Sequence, residues 1–157
     1  QNLYNSKDIG KYKADVVKEK IKLINPFTKI KTYKKKATDK NLNNIIKIFD
    51  IIVDGSDNFK TKFLLNKYSI KRKKILIVGA ISKFDGHVFT FNFKDKKTPC
   101  LRCFYQSEPS DKILNCDAAV DVKYESKLVV GVFLLKWIRH FPPELPIVYL
   151  RHHPSSL

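Results

Sequence analysis

Three short segments carry residue types that can do chemistry. The first is DIIVDGSDN at residues 50–58, where a β-branched apolar run ends in Asp54 and is followed by Asp57 and Asn58. A carboxylate at that place can hold Mg2+ or a ribose hydroxyl, and the amino end of a following helix favours a phosphate. Asp57 and Asn58 could equally do no more than cap that helix. The second segment is the pair Cys100 and Cys103, spaced C-x-x-C. Such a pair is half of a tetrahedral Zn2+ site or a redox dithiol. It follows Pro99 in what reads as a loop after an antiparallel strand, a context that favours zinc over redox chemistry. Two more ligands would be needed, and the chain has no second C-x-x-C. Cys116 stands isolated, which leaves His152 and His153 as a remaining source; Cys116 itself reads as an ordinary cysteine or as a loop nucleophile. The third segment holds Lys13, early in the first predicted helix, on the same open edge as Asp57 if the sheet is wound in order. As one lysine among 27 it decides nothing alone.

The elements that must position these residues read as an alternation of helices and strands. Residues 8–24 place Val16, Val17, Ile21 and Ile24 at helical spacing, and Asn25-Pro26 ends the helix. TKIKTYKKK (28–36) alternates as a strand, and residues 39–49 form a second amphipathic helix with Asp39 near its start. DIIVDG (50–55) and KILIVGA (74–80) are short, apolar and β-branched, as buried parallel strands are. Residues 59–70 between them read as a third helix. HVFTFNF (87–93) alternates after a Gly86 turn, which predicts a strand antiparallel to its neighbour. Residues 94–125 read as a long loop carrying all three cysteines. A strongly apolar helix over 126–141 is stopped by Pro142-Pro143, and PIVYL (146–150) makes a last short strand. The order predicts an α/β domain with a mostly parallel sheet, flanking helices and an antiparallel extension. In such sheets chemistry gathers at the carboxyl ends of the strands, where residues 55–58 lie.

Length and composition bound the class. The chain has 157 residues, 43% hydrophobic and 29% charged, which suits one domain with a core. Three cysteines are too few for a disulfide scaffold. No apolar run approaches the roughly 18 residues of a membrane span, and the first residues resemble neither a signal nor a transit peptide. A reducing, cytoplasmic setting is expected. The net charge of +16 raises the question of nucleic acid. Residues 1–99 hold 24 Lys/Arg against 9 Asp/Glu, and residues 100–157 hold 7 against 6. Yet only four of the 31 basic residues are Arg, whereas the Arg fork is what specific base and phosphate readers exploit. Lysines travelling with Ile and Asn read as a solvated surface; a polyanion site, if present, would sit at Lys34, Lys35 and Lys36 or at residues 71–74.

Taken together, these segments resemble the ThiF/MoeB/HesA family, the ubiquitin-activating-like adenylyltransferases. The matching pieces, in the family's order, are Gln1 with NLYNSKDIGKYKA, INP (24–26), DIIVDGSDNFKTKFLLN (50–66), ILIVGAISKFDGHVFTF (75–91), PCLRC (99–103) and NC (115–116). The resemblance implies a Rossmann-like fold and a role for each matched residue. Lys13, in D-I-G-x-x-K, takes the place of the lysine that contacts ATP phosphates. Asp57, with Asn58 beside it, takes that of the Mg2+/ATP carboxylate, and Gln1 that of the glutamine closing an N-L-x-R-Q segment. Cys100 and Cys103 take the first half of a structural Zn2+ site. Cys116 sits where many members carry a crossover-loop cysteine that in some forms a thioester or persulfide with the partner. The implied activity is ATP-dependent adenylylation of the C-terminus of a β-grasp sulfur-carrier protein, in molybdopterin or thiamin biosynthesis, by a homodimer. A degenerate member that only docks a β-grasp partner is the alternative; a nucleic-acid binder or an NAD-dependent dehydrogenase fits less well.

The chain departs from the family's pattern at both ends. The glycine-rich phosphate loop, the ribose-binding aspartate and an arginine belong before Gln1, so residues 1–157 read as one partial adenylyltransferase domain. By itself this stretch is expected to bind ATP poorly and to hold zinc weakly or between two chains. After Cys116 the run DAAVDVKYESKLVVGV has Ala119 near an expected glycine, and the tail FPPELPIVYLRHHPSSL does not match.

Overall fold

The computed structural model describes residues 4–82, 85–105 and 147–150. The chain divides into two compact units, Gln1–Ala37 with Leu128–Leu157, and Thr38–Lys127. The 126–141 helix and the 106–125 part of the cysteine loop lie outside the described residues.

In the first unit a 3-10 turn, Ser6–Asp8, precedes helix α1, Lys13–Ile24. The predicted helix therefore starts five residues late. Gly10 takes φ +81°, a left-handed conformation that no helix accommodates and that glycine adopts without strain. Ala14, Val16, Val17 and Ile21 are the buried face of α1, and Tyr4 and Ile30 pack against Val17 and Ile21. The helix ends at Asn25, where Pro26 blocks the helical conformation of the residue before it. Strand β1, Ile30–Tyr33, pairs in parallel with β5, Ile147–Leu150, in register Ile30↔Ile147 to Tyr33↔Leu150. Among the described residues, β1 and β5 form a sheet of their own rather than extending the three-stranded one.

The second unit contains the parallel β-α-β unit that the apolar runs predict. It opens with α2, Asp39–Lys47, whose Leu42, Ile45 and Ile46 are buried. Strand β2, Ile51–Asp54, runs beside β3, Ile75–Ser82, in parallel register from Ile51↔Ile75 to Asp54↔Val78. Between them α3, Phe59–Lys71, crosses over. Strand β4, Asp85–Asn92, pairs antiparallel to β3 from Ile75↔Asn92 to Ser82↔Asp85. The pairing begins two residues before the predicted strand, so Gly86 is a strand residue opposite Ile81 rather than a turn.

Period-two alternation puts Ile52, Leu76, Val78 and Phe91 on one face of this sheet, and all are buried. Phe89, Phe91 and Phe93 stack along β4 at centroid spacings of 6.1 and 5.8 Å. Leu101 and Phe104 belong to a short helix, α4, Leu101–Phe104, inside the region that the sequence reads as loop. The aromatic face explains it: Phe104 packs on Phe89 at 5.1 Å and on Phe91 at 6.1 Å, and Leu101 is fully buried. The other face of β4, at Val88, Thr90 and Asn92, is exposed.

Leu76 is fully buried in the central strand of the three, so truncation leaves a cavity. Leu76→Ala is expected to cost about 2–5 kcal/mol of unfolding free energy, read as a lower urea midpoint at unchanged slope.

Candidate functional site

The carboxyl end of β2 is built around a buried charge. Asp54 is the last strand residue and is 2% exposed. Its Oδ1 accepts the Ser56 N–H at 2.9 Å, which folds the chain sharply out of the strand. Its Oδ2 accepts from Lys62 Nζ at 3.2 Å, and Lys62 also donates to the Gly79 carbonyl at 2.7 Å. Residues 55–58 thus leave the sheet on a fixed path. Asp57 comes out exposed, its Oδ1 accepting from Asn58 Nδ2 at a long 3.4 Å. Asn58 is the N-cap of α3, and its Oδ1 accepts the Thr61 N–H at 2.8 Å. The Ser56 Oγ is buried beside this loop with no hydrogen-bond partner. An open carboxylate next to a capped helix amino end suits a phosphate-bearing ligand and its cation: the carboxylate takes the cation, and the N–H groups of the first turn face the phosphate.

Lys13 is the first residue of α1, in the other unit, with its Nζ 5.2 Å from the Tyr4 ring centroid. The turn before it is held by Asp8, which is buried. The Asn5 N–H donates to Asp8 Oδ2 at 3.0 Å, Lys20 Nζ lies 3.3 Å from the same oxygen, and Lys11 Nζ lies 3.7 Å from Oδ1. The Asn5 N–H foremost, opposed by burial and then helped by Lys20 and Lys11, holds the Asp8 carboxyl below its usual 3.8.

The cysteine pair is pre-arranged. Cys100 is the N-cap of α4, and its N–H donates to Cys103 Sγ at 3.4 Å. The two sulfurs are 3.9 Å apart. Tetrahedral Zn–S bonds of about 2.3 Å put sulfurs about 3.8 Å apart, so the spacing fits two corners of a zinc site. Burial pushes the Cys100 thiol up, but hydrogen bonds from the Arg102 N–H, Cys103 and Asn66 outweigh it and leave it below its usual 9.0. Asn66, buried in the middle of α3, accepts the Leu101 N–H at 3.1 Å and so ties the cysteine turn to the crossover helix. Arg102 lies over the Phe63 ring, 4.7 Å from its centroid. Among the described residues no group of three or more His, Cys, Asp or Glu comes together for a metal ion.

The structure brings Asp54, Asp57 and Asn58 onto one loop and the two cysteines onto one turn. Gln1, Cys116, His152 and His153 lie outside the described residues. Lys62 and Asn66 escape sequence reading. On a charge-rich helix a lysine reads as solvent-facing, and an asparagine four residues later gives no sign of what it will bond. The one signal for Lys62 is spacing, since it stands eight residues after a carboxylate that ends a buried strand.

A parallel β-α-β unit with flanking helices and an antiparallel extension defines an α/β domain with a mixed sheet. The model of the ThiF family matches residues 1–140, and the chain belongs to that family. It is 42% identical over 112 residues to the probable molybdopterin-synthase adenylyltransferase of Pyropia yezoensis, covering 71% of this chain and 29% of that protein. It is 35% identical over 112 residues to the sulfur carrier protein adenylyltransferase of Thermus thermophilus, covering 69% of this chain and 41% of that protein. It is 33% identical over 117 residues to the adenylyltransferase and sulfurtransferase UBA4 of Scheffersomyces stipitis, covering 74% and 26%. The chain thus spans between a quarter and two fifths of the length of these relatives.

Two outcomes follow from the geometry. Asn58→Ala removes the cap of α3 and should cost about 1 kcal/mol in denaturant unfolding, whereas Asn58→Asp keeps the acceptor and most of the stability. Asp8 has a depressed pKa, so its contribution is present above the usual value of 3.8 and is lost as pH falls through the lower folded value. Asp8→Asn should therefore lower the melting temperature at neutral pH, and the gap to the parent protein should close as the solution is acidified below that usual value.

Proposed function

We propose that the whole protein adenylylates the C-terminal carboxylate of a β-grasp sulfur-carrier protein, in molybdopterin or thiamin biosynthesis. The observation that carries this reading is the open Asp57 carboxylate set against the Asn58-capped amino end of α3, at the edge of a parallel β-α-β unit. The names of the relatives, molybdopterin-synthase and sulfur carrier protein adenylyltransferases, supply the substrate class.

In this reaction a carboxylate oxygen of the carrier attacks the α-phosphorus of ATP. The bond from that phosphorus to the bridging oxygen breaks, pyrophosphate leaves with the electron pair, and an acyl-adenylate remains. No side chain need form a bond, so positioning and charge neutralisation carry the rate. Asp57 is the residue that would hold Mg2+, which supplies charge compensation for the phosphates; Asn58, Lys13 and Gln1 would orient the nucleotide. Cys100 and Cys103 would supply two of the four ligands of a structural Zn2+ and leave two to be found elsewhere. Cys116 is the proposed sulfur nucleophile of a following step: its thiolate would bond to the acyl carbon of the adenylate as the bond from that carbon to the phosphate oxygen breaks and AMP leaves with the electron pair. A homodimer working in the cytoplasm, without nucleic acid or membrane, completes the reading. Among the described residues no helix is long and apolar enough to cross a membrane.

The test is ATP–pyrophosphate exchange by the full-length protein with a thiamin-type or a molybdopterin-type carrier added. Carrier-dependent exchange is expected, falling about a hundred-fold or more in Asp57→Ala. A folded protein that exchanges with neither carrier overturns the reading in favour of a family member that only docks a β-grasp partner.

A further inference from the structure

The Lys62–Asp54 pair is buried more deeply than a structural ornament requires. Lys62 and Asp54 side chains are 2% and 1% exposed. Taking an ammonium and a carboxylate out of water costs several kcal/mol per ion, and a packed apolar pair would commonly be no less stable. What the pair provides is connection. Lys62 Nζ, on the second turn of α3, reaches the last side chain of β2 at 3.2 Å and the Gly79 carbonyl of β3 at 2.7 Å. The other oxygen of Asp54 takes the Ser56 N–H at 2.9 Å. One ammonium thereby joins two adjacent strands, the helix between them, and the loop that leads from strand to helix. Asp57 is the exposed carboxylate on that loop, one position from Ser56.

From this geometry we infer that Lys62 is a positioning residue for Asp57, acting from inside the fold through Asp54 and Ser56. The inference rests on the reading of Asp57 as the cation-holding carboxylate. Without Lys62, the buried Asp54 carboxylate lacks its ammonium partner, which drives the side chain to turn toward water. If it turns, the Ser56 N–H loses its acceptor and residues 55–58 lose the path that aims Asp57. Nothing in this chain of contacts involves the ligand, so Lys62 sets where the carboxylate stands and not what it binds.

The test uses the full-length protein and two readouts. The first needs no activity: amide hydrogen exchange of Ser56 against that of Leu65 and Asn66 within α3. Lys62→Met should lose protection at Ser56 while the α3 amides keep theirs, and Lys62→Arg, which keeps donors, should retain it. The second readout is the Mg2+ concentration for half-maximal pyrophosphate exchange. It should rise about ten- to a hundred-fold in Lys62→Met, the range for losing a residue that orients a metal ligand, and stay near the parent value in Lys62→Arg. Should Lys62→Met fold poorly, the pair Asp54→Leu with Lys62→Met removes both charges and the acceptor of the Ser56 N–H; it should recover melting temperature without recovering the Mg2+ requirement. Protection lost uniformly across the unit, or an unchanged Ser56 amide, overturns the inference. Selective loss at Ser56 in a protein that catalyses no exchange would sustain the positioning role and sink the adenylyltransferase reading. An active protein whose Lys62→Met variant keeps both its Ser56 protection and its Mg2+ requirement would do the reverse.

Discussion

A carboxylate that ends a buried strand has lost its water and needs a partner in the fold, and in this protein that partner is Lys62. The dependence runs outward from the pair. Asp54 spends its two oxygens on Lys62 and on the Ser56 N–H, so the chain turns where it does because the charge is satisfied. The turn delivers Asn58 to the amino end of α3, where its side chain takes the Thr61 N–H. Only then does α3 start at Phe59, and only from that start does Lys62 fall on the inward side, facing Asp54 and Gly79. The loop and the first turn of the helix therefore specify each other. Neither the loop geometry nor the helix start is an independent choice of the chain.

Helix α3 also carries the second functional feature. Four residues after Lys62, one helical turn further on, Asn66 accepts the Leu101 N–H. That bond holds the start of α4, and α4 presents both cysteine sulfurs 3.9 Å apart. The aromatic face of β4 covers the same turn through Phe89, Phe91 and Phe104. Near the carboxyl end of α3, the single Tyr68 hydroxyl proton is shared between Asp39 Oδ1 at 3.0 Å and the Asp39 carbonyl at 3.1 Å, which pins α2. Lys67 foremost and then Tyr68 hold the Asp39 carboxyl below its usual 3.8. A helix that serves a loop, a cysteine turn and a neighbouring helix must bury polar side chains, and Lys62, Asn66 and Ser69 are all buried in it. An amphipathic stripe would not support those connections.

This explains which parts of the fold were legible in the sequence. The β-α-β unit was, because DIIVD and KILIVGA are short β-branched runs whose period and flanking turns leave few alternatives. The antiparallel partner was, because HVFTFNF alternates. The start of α1 was not: a single left-handed Gly10 interrupts a pattern that apolar spacing continues through it. Helix α4 was missed because four residues are too few to show a period, and what forms it is tertiary packing on the Phe89 and Phe91 rings. Of the candidate site, Asp57 and Asn58 were legible as a strand-end carboxylate and a cap. Lys62 and Asn66 were not, because a side chain's meaning at a helix position depends on which face turns inward, and α3 turns its polar residues in.

The same distinction resolves the excess of lysine. Among the described residues five lysines besides Lys62 lie within 4 Å of a carboxylate, and in three of these pairs both side chains are partly open to water: Lys34 with Asp15, Lys67 with Asp39 and Lys74 with Asp50. Water and salt screen such pairs, and long side chains lose entropy to form them, so each contributes little. Lys62 differs from them in environment and not in residue type. In a region of low dielectric its attraction to Asp54 is unscreened, its remaining donor capacity reaches a backbone carbonyl, and its absence cannot be made good by solvent. Net charge alone does not separate these environments. Lys62 adds to the net charge no more than any other lysine, and its bond to Asp54 is found only by asking what a buried strand does with the aspartate at its end.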